Sequence, residues 1–335
     1  MSEGKKSVVV IGGGTGIYPV LQGLKQHRDQ LAITAIISMA DSGGSNARIR
    51  DEFGLLPLSD INRALSALAT EHGVDDQLLR RLFLHRFEKG EGVAGHNFGN
   101  LLLVALTDLL GSEAAAIAAA GRILRVRGQV LPVTTDAVDI VAEYDDGVVV
   151  KGEHDIDEPA ADRTGHRIVN FWAEPVGTIT ADAKKALLEA DLIVIGPGDL
   201  YSSLLANLVI GGVSAAILES RAPIVYAANL MTRPGQTDDM TACDHAREIE
   251  RYIGRQPDYV VVNTGTVPAH LLERYKSYQQ YPVVDDCDGY GAEIIRTDLL
   301  SSEEVVKSKT DVLVRSLVRG DGEKFAKLVL KLLDT

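Results

Sequence analysis

Apolar positions along the chain fall into short β-branched runs, each followed by a glycine-rich or polar break and then a stretch at helical spacing. Residues 7–11 (SVVVI) predict a buried parallel strand. GGGTG follows at once, and Ile17, Val20, Leu21 and Leu24 then recur at the spacing of an amphipathic helix. Residues 31–39 (LAITAIISM) predict a second strand that ends in the polar run ADSGGSNARIRDEFG. Helical spacing continues over about 60–70 and 75–87, from near Asn97 through NLLLVALTDLL, and over an alanine-rich stretch at about 112–124.

The pattern changes between about 129 and 180, where short alternating segments carry hairpin punctuation. DIVAEY and VVVKGEH flank Asp145-Asp146-Gly147, and Asp-Gly is a favoured hairpin turn pair. Alternation of strand and helix resumes with a helix at 181–190, the strand DLIVI, the loop GPGDLYSS and a helix to about 211. PIVYAAN, the long loop NLMTRPGQTDD, a helix at about 243–254 and the strand DYVVVN follow. The expectation is a wound α/β fold of Rossmann-like type: one domain over 1–335 with a mainly parallel sheet and a β-rich stretch over 129–180, read as a small antiparallel insertion or a sheet extension.

Composition narrows the class of function. A chain of 335 residues with 45% hydrophobic content has enough apolar surface for a substantial core. The formal net charge of −13 argues against nucleic acid or a membrane surface as partner, and leaves room for an anionic small ligand bound by backbone N–H groups and local arginines. Cys243 and Cys287 stand far apart in sequence with no metal-ligand spacing, so the expectation is reduced thiols and neither a disulfide nor a metal site. No leader-like apolar region precedes the first glycine loop, and no run approaches the ~18 apolar residues of a membrane span. A cytoplasmic protein is expected, with a homodimer as the default assembly.

Five segments carry candidate chemistry. Gly12, Gly13, Gly14, Thr15 and Gly16 leave a strand and open a helix, where backbone N–H groups and the helix N-terminus favour a phosphate. The loop lacks the third glycine of the dinucleotide fingerprint, where Ile17 stands, and the Lys-Ser/Thr pair of a Walker A loop. It resembles the GGGTG box of tubulin-type GTPases, which carry it well inside the chain. Asp41, Ser42, Gly43, Gly44 and Ser45 close the second strand, with Arg48 just beyond. An acid at that place binds ribose hydroxyls or a cation, and the glycines form a second anion nest. His96 sits between glycines at a helix start, as a candidate acid/base or phosphate contact, and Asn97 and Asn100 cap the helix or read a sugar or base edge. Pro197, Gly198, Asp199, Tyr201 and Ser202 form a second strand-to-helix cradle. Asn229, Met231, Thr232, Gln236 and Thr237 lie on a polar loop that faces a ligand by its composition. Each loop also has a plainer reading as a turn, cap or connection. No nucleophile elbow, HExxH or cysteine cluster accompanies them.

In this order VVVIGGGTG, DSGGSNARIR, AGHNFGNLLL, ADLIVIGPGDLYSS and NLMTRPGQT resemble the YvcK-like gluconeogenesis-factor family, within the superfamily that includes the CofD 2-phospho-L-lactate transferases. The resemblance runs from about 7 to 263 and weakens beyond. Five positions depart from the family pattern: Ser42 replaces a second acid, Ser59 a glycine, Asn62-Arg63 the usual Arg-Asn, and Asp199 a serine. The resemblance implies a three-layer CofD-like fold and a nucleoside-diphosphate ligand, and adds Tyr275 and Arg319 as contacts to a sugar nucleotide. In the YvcK branch it implies a regulator of carbon metabolism and cell shape that binds a UDP-sugar such as UDP-N-acetylglucosamine and needs no cofactor to do so. In the CofD branch it implies transfer of a phospholactyl group from a guanosine-diphosphate donor to a deazaflavin, with Mg²⁺ on Asp41 and the phosphates. Asp41 and His96 are the candidate catalytic groups under that alternative.

Overall fold

The computed structural model describes residues 4–40, 56–71, 73–90, 92–302 and 318–334. Strand β1 (Lys6–Gly12) leads into helix α1 (Ile17–Gln26), and β2 (Leu31–Ile37) follows. Helices α2 (Ser59–Leu68), α3 (Gly73–Phe83), α4 (Phe98–Leu110) and α5 (Glu113–Ile123) come next, then β3 (Gln129–Pro132). Strands β4 (Asp139–Tyr144), β5 (Val149–Lys151) and β6 (Ile168–Glu174) form a separate antiparallel sheet with β4 central, and the short helix α6 (Glu153–Asp157) lies between β5 and β6. Helix α7 (Ala181–Leu188) returns the chain to the main sheet, which it enters as β7 (Leu192–Ile195). A π-helical turn at Leu200–Leu205 runs into α8 (Ala206–Leu208), and α9 (Val213–Glu219), β8 (Ile224–Ala227), α10 (Ala242–Ile253) and β9 (Tyr259–Asn263) complete the alternation. Helix α11 (Ala269–Lys276), strand β10 (Glu293–Thr297) and helix α12 (Gly322–Leu333) close the described chain.

The main sheet has the order β10-β9-β8-β7-β1-β2-β3, and every pair in it is parallel. The expected α/β fold with a mainly parallel sheet and a small antiparallel one is therefore the fold observed. Residues 129–132, the start of the β-rich stretch, extend the main sheet as its edge strand, and the antiparallel sheet begins at β4. From β1 the chain winds outward to β2 and β3, and then returns to the other side of β1 to add β7, β8, β9 and β10. The direction of winding reverses between β1 and β7, and at such a reversal the two following loops part and leave a crevice.

The unbroken apolar runs follow from burial on both faces. Val8 and Val10 pack on one side with Ile17, Leu21 and Phe325, whereas Val9 and Ile11 pack on the other with Ile140, Phe171 and Leu204. All four valine and isoleucine positions are fully buried. The inner face of the small sheet, through Ile140, Ala142, Tyr144 and Phe171, covers this second side and makes the third layer there.

Two local results were not expected. The terminal pair of α12 and α1 packs at backbone contact, because a Cβ on Gly23 would overlap the Gly322 carbonyl, and one on Gly322 the Pro19 carbonyl. In addition, the fold brings the two cysteines together. Both are buried, and their sulfurs and one Asp286 carboxylate oxygen lie within 4.8 Å of one another. Both thiols are free, and they meet because the 283–288 loop folds back over the start of α10, where Ala242 N–H donates to Val284 O at 2.9 Å. Burial pushes both thiols up, Cys287 to about 12.

The α1–α12 contact gives a direct test. Gly23→Ala has no room for its methyl, so it should cost about 1–3 kcal/mol of stability. A lowered urea midpoint with an unchanged slope would show this; an unchanged midpoint would mean that the helices do not pack as described.

Candidate functional site

The two glycine loops expected to cradle phosphate meet at the reversal point. Val8–Ile11 of β1 pair in register with Leu192–Ile195 of β7, so the loops after both strands leave the same edge of the sheet side by side. Gly16 precedes α1 with helical dihedral angles of −69° and −40° and no side-chain cap on the helix. Only glycine fits there, since a Cβ would stand 2.6 Å from Pro197 O. Asn207 fastens the two loops by donating to Gly12 O at 3.1 Å and Ser203 O at 2.8 Å, and it is fully buried. Asn229 donates to Gly198 O at 2.8 Å and so ties the loop after β8 to the same place.

These loops wall a pocket of about 160 Å³. Of the residues proposed from sequence, Thr15, Gly16, Pro197, Gly198, Asp199, Asn229, Met231, Thr232, Tyr275 and Arg319 line it. Val20, Leu299 and Phe325 supply an apolar side. Tyr275 is buried, and its hydroxyl accepts from Val318 N–H at 3.0 Å, which holds the 318–322 segment over the opening. The Nε of Arg319 is buried and has no hydrogen-bond partner among the described residues. A buried donor of that kind is costly unless something accepts from it.

Arg233, a residue the sequence reading did not single out, stands at the back of the pocket. Its guanidinium lies 3.0 Å from Asp157 Oδ1 and 3.4 Å from Asp199 Oδ1, and it also donates to Asp157 O at 2.6 Å. Burial opposes its charge, but the carboxylates of Asp199 and Asp157 outweigh that and hold its pKa above the ordinary guanidinium value. Asp199 is thus an ion-paired carboxylate on the pocket wall. Ser202 points to Asp157, donating at 3.1 Å, and Gln236 donates to Asp157 O at 3.3 Å. The hydroxyl of Thr237 accepts from Arg233 N–H at 2.8 Å. Ser202, Gln236 and Thr237 are all buried and build the wall rather than face the opening. Tyr201 departs furthest from its expected role. Its ring packs edge-on against Phe171 and its hydroxyl reaches Ile168 O at 3.4 Å, because the π-helical turn directs it into the core.

A second polar group adjoins the first glycine loop through α2. Gly14 N–H donates to Asp60 Oδ2 at 2.7 Å, while Arg63 holds the other oxygen at 2.8 Å. One turn along, the Asn62 amide donates to Asn97 Oδ1 at 2.6 Å and to Asn100 Oδ1 at 3.0 Å. Asn97 is the N-cap of α4 and accepts from Asn100 N–H, and Asn100 is buried and donates to Ser59 Oγ at 3.2 Å. His96 is buried beside them. Asn97 is therefore a cap as expected, whereas Asn100 lies inside the helix, and among the described residues neither of them nor His96 lines the pocket. Asp41, Ser42, Gly43, Gly44, Ser45 and Arg48 lie outside the described residues.

Asp60, Asp157, Asn207 and Arg233 are the site residues that sequence reading missed. Asp60 is the second residue of one helix and Asp157 the last of another, where an acid reads as an ordinary helix-end charge, and Asn207 lies inside a helical pattern. Arg233 alone carried a signal, as the one cation in a polar loop.

Comparison with known proteins gives one consistent answer. The family described as 2-phospho-L-lactate transferase CofD matches residues 8–300. A putative gluconeogenesis factor of Aquifex aeolicus is 40% identical over 334 residues, covering 98% of this chain and 97% of its own. The gluconeogenesis factor of Bacillus subtilis is 36% identical over 334 residues, with 98% of both chains covered. A crystal structure of a UPF0052-family protein from Bacillus halodurans superposes with a TM-score of 0.87 at 34% identity, covering 97% of this chain and 99% of that one.

The Arg233 cluster supports a charge-balance test. Arg233→Met leaves the buried Asp157 without its cation and should cost about 3–5 kcal/mol. The double change Asp157→Asn with Arg233→Met removes both charges and should recover part of that loss in urea denaturation. A double variant as unstable as the sum of its singles would refute the pairing.

Proposed function

The chain belongs to the CofD family, among its gluconeogenesis-factor relatives, and from that premise we propose that it is a regulatory protein whose pocket binds a UDP-sugar such as UDP-N-acetylglucosamine. One observation carries the reading: two glycine loops meet at the reversal of the sheet beside an arginine whose buried Nε has no partner among the described residues. Backbone N–H groups at the start of α1 favour the diphosphate, and Arg319 completes its charge balance. Asn229, Thr232 and Tyr275 lie where they would meet the sugar or ribose hydroxyls. The apolar side of Val20, Leu299 and Phe325 suits a ring face.

Binding to the native state alone adds about 2.7 kcal/mol of stability at a hundredfold excess over Kd. UDP-N-acetylglucosamine should therefore raise Tm by several degrees, and Arg319→Ala should remove most of that rise while keeping the unliganded Tm. A wild-type Tm that stays fixed across a saturating panel of UDP-sugars would remove this reading.

A CofD-type transferase is the second reading, favoured by the family match and by Asp60 on the first glycine loop. Mg²⁺ suits one carboxylate combined with substrate phosphates, and Asp60 is the described acid placed for that, its two oxygens already oriented by Gly14 and Arg63. The ion would neutralise developing phosphate charge. The residues themselves position the donor, since phosphoryl-type transfer depends mainly on alignment and charge. Under this reading the acceptor hydroxyl of the deazaflavin takes the phospholactyl group as the donor's diphosphate bridge breaks, guanosine monophosphate leaves, and Asp60→Asn abolishes turnover while donor binding persists. No product from the wild type with Mg²⁺ present would exclude it.

A further inference from the structure

The chain has two cysteines in 335 residues, 243 and 287, and the fold sets them side by side with an aspartate. Cys243 is the second residue of α10, and Cys287 closes the loop that folds back over that helix start. Their sulfurs and one Asp286 oxygen are within 4.8 Å of one another. At a tetrahedral zinc-like centre, bonds of about 2.3 Å to sulfur and about 2.1 Å to oxygen set ligand atoms roughly 3.6–3.8 Å apart. Small side-chain movements reach that spacing.

The arrangement is prepared in two further respects. Cys243 N–H donates to Asp286 Oδ1 at 3.1 Å, so the carboxylate is already turned toward the sulfurs. Asp286 is exposed while both cysteines are buried, so the carboxylate stands on the solvent side of the thiols. The neighbouring acids do not compete, because Arg296 holds Asp285 at 2.6 Å and Asp288 at 2.6 Å. Two sulfurs with one carboxylate select a borderline ion, whereas Mg²⁺ and Ca²⁺ prefer all-oxygen sets.

We propose that Cys243, Cys287 and Asp286 bind a divalent cation of the zinc class, with water as the fourth ligand. Binding forms two metal–sulfur bonds and one metal–oxygen bond, and releases the two thiol protons to solvent with no change of oxidation state. The site lies outside the pocket but is joined to its wall. Thr232 N–H donates to Tyr281 O at 2.7 Å, Val283 N–H to Leu230 O at 3.1 Å, and Ala242 N–H to Val284 O. A cation there would therefore fasten the 281–287 segment to the helix that follows the pocket loop.

The test uses the full chain, reduced and stripped with a chelator, and titrated with Co²⁺ as the spectroscopic probe. One equivalent should produce a thiolate charge-transfer band and tetrahedral d–d bands, and Zn²⁺ should displace both. Cys243→Ala and Cys287→Ala should each remove the charge-transfer band. Asp286→Asn, at an exposed position that leaves the core intact, should weaken Co²⁺ binding roughly tenfold to a hundredfold. The proposal is overturned if the folded wild type shows no thiolate band, if the band survives in the cysteine variants, or if Asp286→Asn binds as tightly as the wild type. It is equally overturned if the purified, unreduced protein carries the two cysteines as a disulfide that reforms in preference to metal binding.

Discussion

The parallel pairing of β1 with β7 is the contact on which the site depends. Residues of β1 and β7 are adjacent in space although more than half the chain separates them, and their register sets Ile11 opposite Ile195. Both strands therefore end at the same level, and the loops that follow emerge together. If the register slipped by one residue, each strand would present the wrong face to its layer. The alternate burial of Val8 and Val10 against Val9 and Ile11 resists such a slip, since each set already fills a different core cluster. Core packing thus determines where the glycine loops stand.

Both sides of that pairing were legible as strands because each is a short apolar run closed by glycines. The switch between them was not, because the small antiparallel sheet and several helices intervene, and spacing alone does not say which strands become neighbours. The same ambiguity left the stretch from Gln129 open as an antiparallel insertion or a sheet extension, because four residues carry no sign of their partner, and Gln129–Pro132 extends the main sheet. The later elements α11 and β10 were not expected because their apolar positions are sparse, whereas α12 carries a full amphipathic pattern that buries Phe325, Ala326 and Val329. β10 has no fully buried residue, so it lacks the uninterrupted pattern of β1 or β9.

The site divides along similar lines. Glycine loops advertise themselves in sequence, and Gly16 is indeed held to glycine by contact with Pro197. Side chains that secure the loops do not, because an asparagine such as Asn207 or an acid such as Asp60 is ordinary in a helix. Composition also misleads where a residue has two possible faces. Tyr201 and Ser202 are neighbours in a polar-looking loop, yet the π-helical turn sends one to the core and the other to Asp157. The cysteines show the converse, since sequence distance hid a contact that the return of a loop creates.

An acidic chain that offers an anion a pocket has to settle its charges locally, and the placement of acids here shows how. Asp60 and Asp199 both adjoin the glycine loops, where unpaired carboxylates would repel a phosphate. Each has an arginine of its own: Arg63 at 2.8 Å from Asp60 and Arg233 at 3.4 Å from Asp199. Arg233 is shared with the buried Asp157, so its positive charge is largely spent within the wall. Arg319 is different, because its Nε is buried with no partner among the described residues. Screening reduces the reach of distant surface acids to about 10 Å at ordinary salt, so the −13 total matters less than these near neighbours. Among the described residues, the local balance at the opening is thus governed by backbone N–H groups and Arg319 rather than by net charge, and substitutions at Arg63 or Arg233 would change it by freeing an acid, even though neither residue needs to touch a ligand.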